Sequence, residues 1–269
     1  MKNNLNMISK YLKHLLIAWG LTLAPVFTDA QVQKTTKSVE PKDAIFFQTN
    51  LSYKIALFDM TTKYYNTFCV GGKLGFLTKN NWYFSADVEH FFAEDVKIDA
   101  LSSIRTADGS ILDQFGDIAL TAQQERGYFF GASVGRVIPL FKQKRSGLDI
   151  ECSAGYFIHW IQINDLSKQV PSLSTINGVD LADGYDQKRG GIALKQAIGY
   201  RYLSPGNYFN FYVGVNFSQA ITSSLRNYDF NERKADSKTY LDGQLGFQVA
   251  WFIPFYIKRG GKESGRVYY

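Results

Sequence analysis

Proton-transfer chemistry in this chain would have to use His90 or His159, because the remaining histidine, His14, lies in an N-terminal segment that reads as a leader. His90 stands beside Glu89 and near Glu94, and His159 falls in a run of alternating polarity. A histidine acting as general base in hydrolysis or acyl transfer works with a serine and a carboxylate. Neither histidine has a serine two or four residues away, and of the two His90 is the better candidate for an enzyme. No His/Cys/Asp cluster has metal-ligand spacing. Asp180, Asp183 and Asp186 recur at steps of three, but the glutamate that closes a calcium loop at its twelfth position is missing. The sequence therefore offers no catalytic set, no cofactor motif and no metal site.

The other ionisable residues are more regular. Lys54, Lys73, Lys195 and Arg201, with Asp87, Glu89, Asp149, Glu151 and Asp242, all occupy the polar phase of stretches in which every second residue is apolar. Phe47, Thr49, Leu51, Tyr53, Ile55 and Leu57 alternate with Gln48, Asn50, Ser52, Lys54 and Ala56. Leu241, Leu245, Phe247, Val249, Trp251, Ile253 and Phe255 alternate with Asp242, Gln244, Gly246, Gln248 and Ala250. A period of two is the mark of a β-strand with two unlike faces. Similar runs begin near Phe68, Trp82, Phe130, Leu148, Ile192 and Phe209, making eight strands.

Their connections alternate in length. Short, turn-rich links fall at Thr78 to Asn81, Phe141 to Gly147 and Ser204 to Asn207. Long ones fall at Asp59 to Asn66, Ala93 to Arg126, Ile161 to Gly190 and Ala220 to Lys238. An even number of strands with short turns at one end and long loops at the other is the layout of an outer-membrane barrel. A soluble sandwich or lipocalin-like barrel uses the same alternation with apolar residues inside. Glycines on the polar face, at Gly71, Gly75, Gly131, Gly135, Gly155, Gly199, Gly214 and Gly246, favour a cramped polar lumen over a solvated surface.

The fold expected is all-β: an eight-stranded antiparallel transmembrane barrel with a filled polar interior, long extracellular loops and short periplasmic turns. Its nine lumen charges, of both signs, are read as a structural salt-bridge network, since unpaired ions are costly inside a lipid-facing wall. A proton or ion path along the carboxylates is the functional alternative. Trp82, Trp160, Trp251, Tyr200, Tyr202 and Phe255 fall near strand ends, as interfacial girdles do. Cys69 and Cys152 fall on opposite faces and are read as free thiols.

Residues 1–30 read as a signal peptide: Lys2, Lys10 and Lys13 precede the apolar run Leu15 to Phe27, and Ala30 suits cleavage. The net charge of +6 falls to +4 once those lysines and Asp29 leave with the leader, a mild balance that does not call for nucleic acid. Residues 31–44 then form a periplasmic segment, 45–256 the barrel and 257–269 a basic periplasmic tail. With the lumen plugged, contacts fall to loops and rims. Tyr185, Tyr228 and Phe230 interleave with Arg189, Arg226 and Arg233, and Tyr with Arg is enriched at protein contacts.

The stretches "GYDQKRGG", "GYRYLSPGNYFNFYVGVNFSQ", "RNYDF" and "LDGQLGFQVAWFIPFY" resemble a group of small outer-membrane barrels of Bacteroidota. That resemblance, firm over the last third of the chain, implies a non-enzymatic accessory barrel beside the type IX secretion translocon. Its expected partners are outer-membrane lipid and lipopolysaccharide and other envelope proteins. The alternatives are a lipid A-modifying enzyme and a small pore.

Overall fold

In the computed structural model the described residues are 42–140, 145–167, 170–176, 179–204, 209–226, 228–234 and 238–257. The leader, most of the N-terminal segment, the tail beyond Ile257 and parts of two short turns lie outside them. Eight strands form: β1 (Ala44–Phe58), β2 (Asn66–Leu77), β3 (Trp82–Ala93), β4 (Thr121–Pro139), β5 (Gly147–Asp165), β6 (Arg189–Tyr202), β7 (Phe211–Ser224) and β8 (Thr239–Tyr256). Each pairs antiparallel with its neighbours in chain order, and β1 pairs with β8 from Ala44↔Tyr256 to Phe58↔Asp242, so the sheet closes into a barrel. Closure satisfies every edge strand within the sheet, which an open sheet leaves unpaired.

The two phases of each strand face opposite ways, because successive side chains on a pleated strand point to opposite faces. On β1, Ile45, Phe47, Leu51, Tyr53 and Ile55 are exposed while Phe46, Gln48, Asn50, Ser52 and Lys54 are buried. On β8, Leu241, Leu245, Phe247, Val249, Trp251 and Phe255 are exposed over buried Asp242, Gln244, Gln248 and Phe252. The apolar surface is thus outside and the polar residues within. Gly243 breaks the outward row, and the Phe58 ring occupies its place: a Cβ there would lie 2.6 Å from that ring. Gln196 and Gln219 also interrupt the outward belt with half-buried amides.

Two strands are longer than the alternation indicates. β4 and β5 each have 19 residues and pair from Pro139↔Gly147 up to Thr121↔Asp165. Residues 121–126, which the alternation assigns to the long connection, are therefore strand. This hairpin rises past its neighbours and carries the long connections above the barrel. A pair of two-residue strands, Thr175–Ile176 and Val179–Asp180, lies in the connection between β5 and β6.

Candidate functional site

The barrel interior is layered. At the end with the short turns, Phe46, Leu77, Tyr83 and Val137 form a buried apolar cluster. Phe46 and Tyr83 meet edge to face at 5.9 Å. The Arg201 guanidinium sits over Tyr83 and Phe252, 4.4 and 5.1 Å from their centroids, and its Nε donates to Asp149 Oδ2 at 2.6 Å. Cation–π contact and a charge-assisted hydrogen bond together compensate a guanidinium removed from water.

Above it the charges join. Tyr83 OH lies 2.9 Å from both Asp149 Oδ1 and Glu151 Oε2. Glu151 accepts from Lys73, whose Nζ is also 3.5 Å from Asp87 Oδ2. Lys195 Nζ reaches Asp87 at 3.3 Å and Glu89 at 2.7 Å, and Lys54 Nζ closes on the other Glu89 oxygen at 2.7 Å. One continuous chain therefore runs Lys54, Glu89, Lys195, Asp87, Lys73, Glu151, Tyr83, Asp149, Arg201. It brings together eight of the nine charged residues that the strand phase places in the lumen. Asp242 stands apart.

A second apolar layer lies over the ions, with Phe91, Phe129, Phe157, Cys69, Met60, Tyr64 and Ile161 in one cluster. Phe91 and Phe157 stack at 4.9 Å. At its upper edge Asp242 meets His159: Nε2 lies 2.9 Å from Asp242 Oδ2, Nδ1 lies 2.9 Å from Tyr64 OH, and Thr222 also donates to Asp242. His159 is completely buried. The strand pattern placed His159 inside the barrel but gave no sign of Tyr64 or Thr222, one from an irregular loop and the other from the far end of β7.

His90, the stronger enzyme candidate by sequence, is occupied otherwise. Its Nδ1 donates to the Gly127 carbonyl at 3.0 Å, and its ring stacks on Phe92 and lies tilted against Tyr128. Glu94 accepts from Gln124 Nε2 instead. Among the described residues no group of three or more His, Cys, Asp or Glu could hold a metal ion.

The described parts of the long loops close over the barrel as a cap. Leu101, Ile111, Ala119, Val170, Leu173 and Tyr185 bury one another, and Phe230 packs on them. Loops from three different hairpins are cross-linked: Asn231 Nδ2 donates to Ala100 O at 2.6 Å, and Arg226 donates to Gly184 O and Asp229 Oδ2, both at 2.8 Å. Lys97 Nζ ties the first loop in through Thr61 O at 2.9 Å.

This geometry revises the six loop residues singled out for contact. Tyr185 is buried edge to face against Phe230 at 5.2 Å, and Phe230 is itself half-buried. Arg226 is spent holding the cap, and Arg189 is buried at the top of β6 with its guanidinium 3.2 Å from the Tyr240 centroid. Tyr228 and Arg233 are the exposed members. Tyr–Arg interleaving here builds the cap as much as it decorates it, because both residue types bury well in polar, hydrogen-bonded surroundings.

No protein-family model and no curated protein matches this chain. Among solved structures it is similar to Neisserial surface protein A (TM-score 0.39, 12% identity, covering 77% of this chain and 96% of that one). It is also similar to Ail, the attachment invasion locus protein of Yersinia pestis, in complex with sucrose octasulfate (0.39, 11%, 80% and 99%). The outer membrane protein AlkL in lipid bilayers is a third (0.32, 8%, 82% and 94%). Identities this low transfer no activity, ligand or partner.

Proposed function

We propose that the protein is a non-enzymatic outer-membrane barrel whose lumen is a structural plug and whose working surface is the cap. The observation that carries this reading is the outer belt. On β4 the outward residues Tyr128, Phe130, Ala132, Val134 and Ile138 are interrupted by Arg126 at one level and Arg136 at the other. Arg136 lies over the Trp82 ring at 5.2 Å, and at the loop end Lys188 lies over Trp160 at 5.6 Å. Roughly ten residues at ~3.3 Å each, tilted by about 40°, give a band ~25 Å tall, the height of the apolar girdle of an outer-membrane barrel. Such a belt in water would be an exposed apolar patch far larger than soluble proteins carry.

Both barrel termini, Ala44 and Tyr256, lie at the turn end, which supports periplasmic termini and an extracellular cap. Lipid and lipopolysaccharide are then the lateral partners, and another envelope protein is the partner of the cap. A docking role beside the type IX translocon rests on the sequence resemblance alone.

The topology is tested with an epitope inserted after Gly109, an exposed loop position where a Cβ meets nothing within 4 Å. Antibody should reach it on intact cells, and should reach an epitope after Tyr269 only in permeabilised ones. Labelling of the C-terminal epitope on intact cells would reverse the orientation. For the docking role, a tagged copy purified from native membranes should bring translocon subunits with it. Recovery of the barrel alone, with secretion intact in a deletion strain, would remove the secretion assignment.

A further inference from the structure

At the loop end a polar cleft of about 490 Å³ opens between the tops of the strands and the cap. That size is in the range of small-molecule sites. Its cationic and amide side is formed by Lys63, Gln187, Arg189, Arg226, Asn231 and Lys238. Three acids also line it, and each is already engaged. Asp99 accepts from Arg105 and from Gln123 Nε2, Asp229 from Arg226, and Glu232 from Lys234. Arg189 is different: it is only 6% exposed, its Nε has no hydrogen-bond partner, and its ion pair with Asp242 is a long one, 3.8 Å from Nη1 to Oδ1. A buried guanidinium with an idle donor is costly unless an acceptor reaches it. Stacking on Tyr240 holds it in place without using that donor.

We propose that this cleft is a binding site for a small anion, a carboxylate or phosphate carried on a hydroxyl-bearing molecule of about monosaccharide size. Arg189 supplies the charge-assisted contact to the anionic oxygen. The amides of Gln187 and Asn231, with the hydroxyls of Thr62 and Ser102, supply the mixed donors and acceptors that hydroxyl groups require. Asp99, Asp229 and Glu232 at the rim can accept further hydrogen bonds from sugar hydroxyls, and their charge limits the cleft to a ligand with one anionic group rather than a polyanion. The site goes beyond the docking role and does not depend on it.

The test uses the full-length protein in detergent micelles at low ionic strength, titrated separately with glucose 6-phosphate, glucuronate and glucose and followed by calorimetry and by amide NMR. Saturable binding of one or both anionic sugars, with glucose about tenfold or more weaker, is expected from one charge-assisted contact. Glucuronate and glucose 6-phosphate together identify which anionic group is taken. Shifts should centre on Gln187, Arg189 and Asn231. In Arg189→Gln the preference for the anionic sugars should vanish, while Arg136→Gln, at the far end of the barrel, should keep it. Because Arg189 also faces Asp242, the wild-type shift map stands as the independent readout should that variant misfold. Equal affinity for glucose and the anionic sugars, absence of saturable binding, or shifts centred elsewhere would each overturn the proposal. None of these outcomes depends on the co-purification that tests the docking role.

Discussion

At the residue scale the lumen ions are the largest single commitments. Lys195 bridges Asp87 and Glu89, so Lys195→Met breaks the ion chain between them and leaves Asp87 with Lys73 and Glu89 with Lys54 as their lysine partners in a buried site. Removing one partner of a buried pair costs about 3–5 kcal/mol. Urea unfolding in lipid vesicles should show that loss, whereas Lys79→Met, at an exposed turn position, should stay within about 0.5 kcal/mol of wild type. In the cap, burial pushes the Asp186 carboxyl up to about 6, against the Lys188 N–H and the Arg226 charge that draw it down. The folded cap therefore favours the protonated acid. Stability from this residue is present at low pH and is lost as pH rises from the ordinary carboxylate value to about 6. Asp186→Asn should flatten that interval and stabilise the cap above it, read as hydrogen-exchange protection of Ile161, whose N–H bonds to Asp186 O. Cys69 is buried and Cys152 exposed on the belt. Maleimide reacts with the thiolate, which acyl chains disfavour, so it should label Cys152 in the folded protein faster in detergent micelles than in lipid vesicles, and reach Cys69 only after unfolding.

At the scale of elements, the phase of every strand was legible because outward and lumen-side residues differ so sharply in polarity. The ends of β4 and β5 were not. Residues 121–126, Thr-Ala-Gln-Gln-Glu-Arg, rise above the apolar belt, where both faces are polar and the period of two disappears. The inner aromatic layer was hidden for a related reason. Phe91 and Phe129 are each followed by an outward Phe or another aromatic neighbour, so a run of consecutive aromatics masks which one points in. The cap was illegible since Leu101, Ile111, Leu173 and Tyr185 are scattered over loops without any periodicity. Glycine on the polar face has a measurable reason. A Cβ on Gly135 would lie 2.2 Å from the Tyr83 ring, whereas one on Gly72, in the outward phase, meets nothing closer than 3.7 Å. Gly135→Ala should cost about 1–3 kcal/mol by overpacking and Gly72→Ala far less, compared by the same unfolding assay.

For the whole molecule, the question of a pore reduces to whether any continuous aqueous path crosses the layers. Phe46, Tyr83 and Val137 seal one end, the Phe91–Phe157 stack and Met60 seal the other, and the ion chain fills the space between. An eight-stranded barrel has only enough interior for its own side chains. Planar-bilayer recordings of the purified protein should therefore be silent; steps of reproducible unitary conductance would mean that the layers part in lipid. The molecule's exterior character and its filled axis followed from the strand pattern. What the pattern did not disclose was the separate His159–Asp242–Tyr64 station above the main chain, assembled from β5, β8 and a loop far apart in sequence.

The ion chain reaches from β1 through β3 to β5 and β6, and the His159–Asp242 pair needs β8. A half-assembled sheet entering the bilayer would hold stranded cations and anions against acyl chains, with their mates still outside. Pairing of the lumen charges and closure of the β1–β8 seam are therefore coupled: the last strand to arrive completes both.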